Sequence, residues 1–313
     1  MSAASKKVIY AALAGNTLIA VIKFIAAAMT GSSAMLSEGI HSLVDTGNQV
    51  LLLLGIKRSQ RPPGPKFPYG HGKEVYFWSF VVAILIFAVG AGISVYEGIK
   101  HLLHPRTLED PTINYIVLGL AMLFEGIAWS IALKEFRKVK GAMGYFEAVK
   151  RGKDPTMFVV LFEDSAAMLG LVAAFVGILL SQLTGLALFD AAASIIIGLI
   201  LGGTAVWLAV ETQGLLIGES AGRDVVAGIR RIAGECECVE HVNEVLTMHM
   251  GPEFVLVNIS MNFRKHMAVG QLEHEIAVMD RAIKSAYPEV RRVFIEAEAA
   301  RSTLEKISDK GSV

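Results

Sequence analysis

The sequence predicts an α-helical integral membrane protein: six transmembrane helices followed by a small cytoplasmic α+β domain. Three observations carry this. Hydrophobic residues make up 53% of the 313-residue chain and charged residues only 19%, with a mean hydropathy of +0.52. Six apolar runs each reach about the 20 residues that a helix needs to cross a bilayer. Beyond residue 217 the pattern changes to short amphipathic and alternating segments. The predicted organisation is a membrane domain over 1–217, a second domain over 218–300 and a flexible tail over 301–313.

The runs are Val8–Met29, Ser33–Ile56, Phe77–Ile99, Ile113–Leu133, Thr156–Leu183 and Phe189–Val210. The first two are separated by Thr30, Gly31 and Ser32 alone, so they form a tight hairpin. The N-terminal MSAASKK leads directly into the first run with no small-residue cleavage site, which reads as a retained span rather than a signal peptide. Basic residues set the orientation. Lys57, Arg58, Arg61, Lys66 and Lys73 follow span two, and Arg137, Lys138, Lys140, Lys150, Arg151 and Lys153 follow span four. The opposite side has Lys100 and Arg106. The excess on one side predicts both termini in the cytoplasm. The expected residence is a bacterial cytoplasmic (inner) membrane, since no long targeting extension precedes span one.

In the second domain, Gly222–Glu235 reads as an amphipathic helix. Val242–Met250 and Phe254–Phe263 read as strands joined by Gly251-Pro252, and the second alternates strictly from Val255 to Phe263. Gln271–Ala286 returns to helix and Arg292–Ala297 to strand. This αββαβ order suits a ferredoxin-like plan. A core of this size gains from pairing with a second copy. Formal net charge is zero, which gives no sign of nucleic-acid binding. Cys236 and Cys238, two apart, read as a reduced surface thiol pair, with capture of a soft metal together with His241 as the alternative.

Span two holds the main functional signal. Glu38, His41 and Asp45 follow offsets of three and four, so a helix stacks them on one face, and Asn48 extends the stripe. Ionisable side chains at membrane depth mark ion paths or protein interiors. A His and a carboxylate one turn apart make a half-site for a transition metal.

The segments GNTLIAVIKFIAA, SEGIHSLVDTGNQ, PYGHGKE and FEDSAAMLG, together with the αββαβ tail, resemble the cation diffusion facilitator (cation efflux, or zinc transporter) family. The FEDSAAMLG form is most similar to the branch of the mitochondrial zinc transporter of animals and its bacterial relatives. The resemblance implies a homodimeric secondary active transporter, not an enzyme, that exchanges a divalent cation for protons across the lipid bilayer. The implied cargo is Zn2+ exported from the cytoplasm, with no organic cofactor and no nucleic-acid partner. The family's transport site joins His and Asp from spans two and five, here His41, Asp45 and Asp164. Val160 stands one turn before Asp164, where many zinc-transporting members carry His. Glu38, Asn48, Glu163 and Asn16 are the candidates for a further ligand or for support around the ion.

The same resemblance directs attention to two other places. Lys73, in the HGK of the loop, is expected to form an ion pair near the membrane surface, with Glu219 as its partner. His241, His249, His274, Glu296 and Glu298 are the weak candidates for metal in the second domain. Transport of Mn, Fe or Co, and a non-transporting scaffold or sensor with a degenerate site, stay open as alternatives. A membrane-embedded hydrolase lacks a convincing nucleophile.

Overall fold

The computed structural model describes residues 3–104, 112–140, 144–145, 148 and 154–299. The expected tail over 301–313, and the basic residues Arg106, Lys150, Arg151 and Lys153, lie outside the described residues. Two compact units emerge. One holds residues 1–60 and 74–213, the other residues 61–73 and 214–313.

Among its described residues, the regular structure of the first unit is all helical. Its helices are α1 (Ala3–Thr30), α2 (Ser33–Ser59), α3 (Glu74–Leu85), α4 (Gly92–Leu103), α5 (Thr112–Lys140), α6 (Pro155–Thr184) and α7 (Leu188–Ile217). One π-helical turn, Ile86–Ala91, joins α3 to α4 within a single rod. Among the described residues, four stretches are long and apolar enough to cross a membrane: Glu74–Leu103, Thr112–Lys138, Phe158–Thr184 and Leu188–Ile217. A shorter apolar helical stretch runs over Asn16–Thr30. The helix α2 is as long as these, with 27 residues, but its acids and His41 lower its hydropathy. The helices outrun the apolar stretches that mark them in the sequence. Basic residues fill the last turns of α2 (Lys57, Arg58) and α5 (Arg137, Lys138, Lys140), where cations suit the helix dipole.

The burial pattern is that of a protein whose solvent is hydrocarbon. Leu18, Val21, Ile25 and Met29 of α1, and Leu123, Phe124, Ile127 and Ile131 of α5, point outward. Lys23, Glu38, His41, Asp45 and Asn48 are buried. Polar groups gather inside because the surrounding lipid offers them no partner.

The α1–α2 hairpin follows from its three-residue link. Gly31 takes φ of +68°, a conformation that favours a residue without a Cβ. Ser32 caps α2 by accepting from Met35 N at 3.1 Å. Asp190, in the first turn of α7, completes the cap. Its carboxylate accepts from Ser32 Oγ (2.6 Å), Ser33 N (2.8 Å) and Ser33 Oγ (2.9 Å), and His101 Nδ1 stands 3.6 Å away. One buried acid thus closes the start of α2 and ties it to α7. Asp190→Ala is expected to lower stability by about 1–3 kcal/mol by leaving a buried donor unsatisfied, which a thermal melt in detergent would read.

The second unit carries α8 (Arg223–Gly234), β1 (Val239–Gly251), β2 (Phe254–Phe263), α9 (Val269–Ala286) and β3 (Val290–Ala297). The sheet order is β1-β2-β3, with β2 antiparallel to β1 and parallel to β3. The alternation in β2 has its physical cause here. Val255, Val257, Ile259 and Met261 face a core shared with Ile229 of α8 and with Met279 and Ile283 of α9. The element order α-β-β-α-β is the one anticipated.

One expectation is corrected. Cys236 and Cys238 are bonded to each other rather than free, and Cys238 is buried. The turn between α8 and β1 brings their Cα atoms to 5.2 Å, inside the range a disulfide spans.

Candidate metal-transport site

Helix α2 presents Glu38, His41, Asp45 and Asn48 on a face that is almost wholly buried, as its periodicity requires. These residues meet two different sets of partners.

Asp45 and Asn48 meet α6, and His41 stands beside Asp45. His41 Nδ1 stands 3.3 Å from Asp45 Oδ1. Asn48 Nδ2 donates to Glu163 Oε1 at 2.6 Å, and the Asp45 and Glu163 carboxyl groups are in contact. Glu163 is therefore aimed at α2 rather than away from it. Asp164, one residue on, lies about 100° further round the helix. It lines a cavity of about 580 Å³ together with Asn16, Gln49 and Val160. The FED sequence of α6 thus serves two faces, with Glu163 toward the buried cluster and Asp164 toward the opening. Val160 lines the same cavity, where a His would have offered a nitrogen.

The buried cluster has unspent bonding capacity. Neither His41 nitrogen makes a hydrogen bond, and Asp45 Oδ1 and Asn48 Oδ1 accept none. Such orphaned atoms are costly inside a protein. An imidazole nitrogen and carboxylate oxygens are also the donor set that a zinc-type ion takes. The ligand atoms are paired rather than closed into a cage: no three of them among the described residues lie within 4.8 Å of one another.

Glu38 belongs to a second cluster. Lys23 Nζ donates to Glu38 Oε2 (3.0 Å), Ser42 Oγ (2.9 Å) and Glu125 Oε1 (3.0 Å). Lys23 and Glu38 are wholly buried. Glu38 Oε2 is thus salt-bridged to Lys23, while its Oε1 accepts no hydrogen bond. Its Oε1 fills the space beside Gly170 of α6, where a Cβ would displace it. Glu125, on α5, completes this buried cluster. A charged side chain in span four was the signal, and the helix spacing of span one could not reveal which acid Lys23 would reach.

In the second unit the expected metal candidates do not converge. His241 and His274 are exposed on β1 and α9, Glu296 is exposed on β3, and His249 is buried in β1. Glu298 accepts from Ser260 Oγ at 2.5 Å. A register shift between Val242 and Glu244 puts His241 and His249 on opposite faces of β1 despite their even spacing. Lys73 donates to Leu216 O at 3.4 Å and approaches Met248 Sδ at 3.8 Å. Partial burial lowers its ammonium from the ordinary value. The Glu219 carbonyl accepts from His249 N at 3.0 Å.

Residues 9–217 match the family model for the cation efflux transmembrane domain. This chain belongs to the cation efflux family. It is 37% identical over 259 residues to the proton-coupled zinc antiporter SLC30A9, mitochondrial, of Xenopus laevis, covering 82% of this chain and 46% of that protein. The human protein of the same name is 35% identical over 247 residues, covering 78% and 44%. The manganese efflux system protein MneP of Bacillus subtilis is 23% identical over 303 residues, covering 94% of this chain and 93% of its own. The chain spans less than half the length of the animal relatives.

These relatives are named as a zinc antiporter and a manganese efflux protein. They also correct one expectation. The bacterial cytoplasmic membrane, with both termini cytoplasmic, rested partly on the short segment before span one. The relatives at 35–37% identity are named mitochondrial. Because this chain covers under half of them, its own start carries no information on targeting, and that assignment is withdrawn.

Proposed function

We propose that this cation efflux chain is a proton-coupled antiporter whose cargo is zinc, working as a homodimer of six-span protomers with ferredoxin-like second domains. The observation that carries the reading is the buried His41–Asp45 pair, set against Glu163 with both imidazole nitrogens unspent. His41, Asp45 and Asp164 hold the ion. Glu163 supplies a fourth donor where Val160 offers none, and Asn48 orients it. Asn16 lines the approach beside Asp164. Metal ligands must shed their protons to bind, so proton and metal compete for these groups, and loading on one side drives release on the other. Lys73 and Glu219 pair near the membrane surface in this scheme. The relatives' names support zinc as cargo and a mitochondrial membrane as residence.

A second reading has its own observation. Oxygen donors outnumber nitrogen around the cluster, with Asp45, Asp164, Glu163 and Asn48 set against one His, and this shifts preference toward a harder ion such as manganese. The name of the Bacillus subtilis relative fits that reading.

Metal uptake into proteoliposomes under an imposed pH gradient tests both, comparing zinc, manganese, iron and cobalt for the wild type and His41→Ala. Zinc flux is expected, and it disappears in the variant. Manganese flux exceeding zinc flux would favour the second reading. No flux of any metal from folded protein would overturn the antiporter and leave a non-transporting scaffold.

A further inference from the structure

A second set of soft and hard donors lies outside the transport site. Cys236 and Cys238 occupy the turn between α8 and β1, and Glu275 projects from α9 beside them. Cys236 Sγ is 3.7 Å from Glu275 Oε2. Among the described residues, these are the three whose ligand atoms all lie within 4.8 Å of one another.

The turn is held by its backbone as well as by the sulfurs. Val239 N donates to Cys236 O at 3.0 Å, Arg264 N to Cys238 O at 3.0 Å, and Glu235 N to Arg231 O at 2.9 Å. None of these bonds involves a sulfur. They hold the turn that carries both cysteines, with Cys236 beside Glu275 of α9. Cys238 is buried, and Cys236 and Glu275 are partly buried.

Two thiolates select zinc, cadmium or cuprous ions over magnesium, calcium or manganese. With one carboxylate they fill three positions of a tetrahedron and leave the fourth to water, the arrangement of an exchangeable site rather than a closed one. Sulfurs bonded to each other cannot act as thiolate ligands.

We propose that Cys236, Cys238 and Glu275 form a binding site for a soft metal cation, open in the dithiol state and closed in the disulfide state. Opening needs a dithiol reductant. It gives up two electrons and two protons as its own sulfurs join, while the Cys236–Cys238 bond breaks to two thiols. A divalent cation then displaces the two thiol protons, forms two metal–sulfur bonds and takes an oxygen of Glu275.

The test uses the full chain in detergent, with Asp45→Ala to silence the transport cluster and Cd2+ as the probe. Protein is reduced with dithiothreitol, freed of it without oxygen, and compared with oxidised protein by equilibrium dialysis and by thiolate-to-cadmium charge-transfer absorption. Reduced protein is expected to bind one additional Cd2+ per chain and to show the absorption, and oxidised protein to show neither. Glu275→Gln is expected to keep the absorption but bind about tenfold more weakly. The oxidised and reduced forms share one sequence, so the comparison survives any folding defect in a variant. Equal binding by the two forms would overturn the site. So would absorption that persists in Cys236→Ser/Cys238→Ser, or its absence from protein with two titratable thiols.

Discussion

Asp45→Ala is expected to abolish metal transport without loss of folding. Asp45 sits between His41, 3.3 Å away, and the Glu163 carboxyl, so its removal takes away the donor that links α2 to α6. Loss of a direct ligand should cost transport on the order of a hundredfold or more, beyond what loss of a supporting contact costs. Stability should move the other way or not at all. Asp45, Glu163 and Asp164 crowd three acids into a region with limited solvent, and deleting one relieves that repulsion. The paired measurement is zinc uptake into proteoliposomes alongside a thermal melt. A variant that still carries metal at the wild-type rate would remove Asp45 from the site. One that loses transport only because it unfolds would make Asp45 a structural residue.

Lys23→Met is expected to have the opposite signature, a large loss of stability. Lys23 is the shared partner of Glu38, Ser42 and Glu125 and joins α1 to α2 and α5. Removing one member of a buried ionic cluster leaves charge without compensation, at a cost of about 3–5 kcal/mol. Replacing the whole cluster is far milder, because no buried charge is then left over. The triple change Lys23→Met, Glu38→Gln, Glu125→Gln should therefore melt close to wild type. If the single and triple variants melt alike, Lys23 is not what holds these acids. The triple variant also separates the clusters: retained zinc uptake would mean that Glu38 and Glu125 support the helices and that ion binding rests with His41, Asp45, Glu163 and Asp164.

The sequence by itself determined the helical character of the membrane unit, the αββαβ order and the stripe on α2. Each of these is a periodicity, and periodicity is local. Apolar length marks a span, alternation from Val255 to Phe263 marks β2, and the offsets from Glu38 to Asn48 place four side chains on one face whatever packs against them. The family was legible for the same reason, since its motifs are short runs within single elements. Only the tertiary structure decided which partner each polar group took. Glu38 and Asp45 look equivalent on one helix face, yet Glu38 pairs with Lys23 and Asp45 meets Glu163. The rotation of α6 turns Glu163 inward and leaves Asp164 at the cavity. The bond between Cys236 and Cys238, with Glu275 beside it, depends on a turn and on a helix that begins some 30 residues later. Pairing between elements depends on helix rotation and on the approach that small residues such as Gly170 permit. No spacing within one element encodes those quantities.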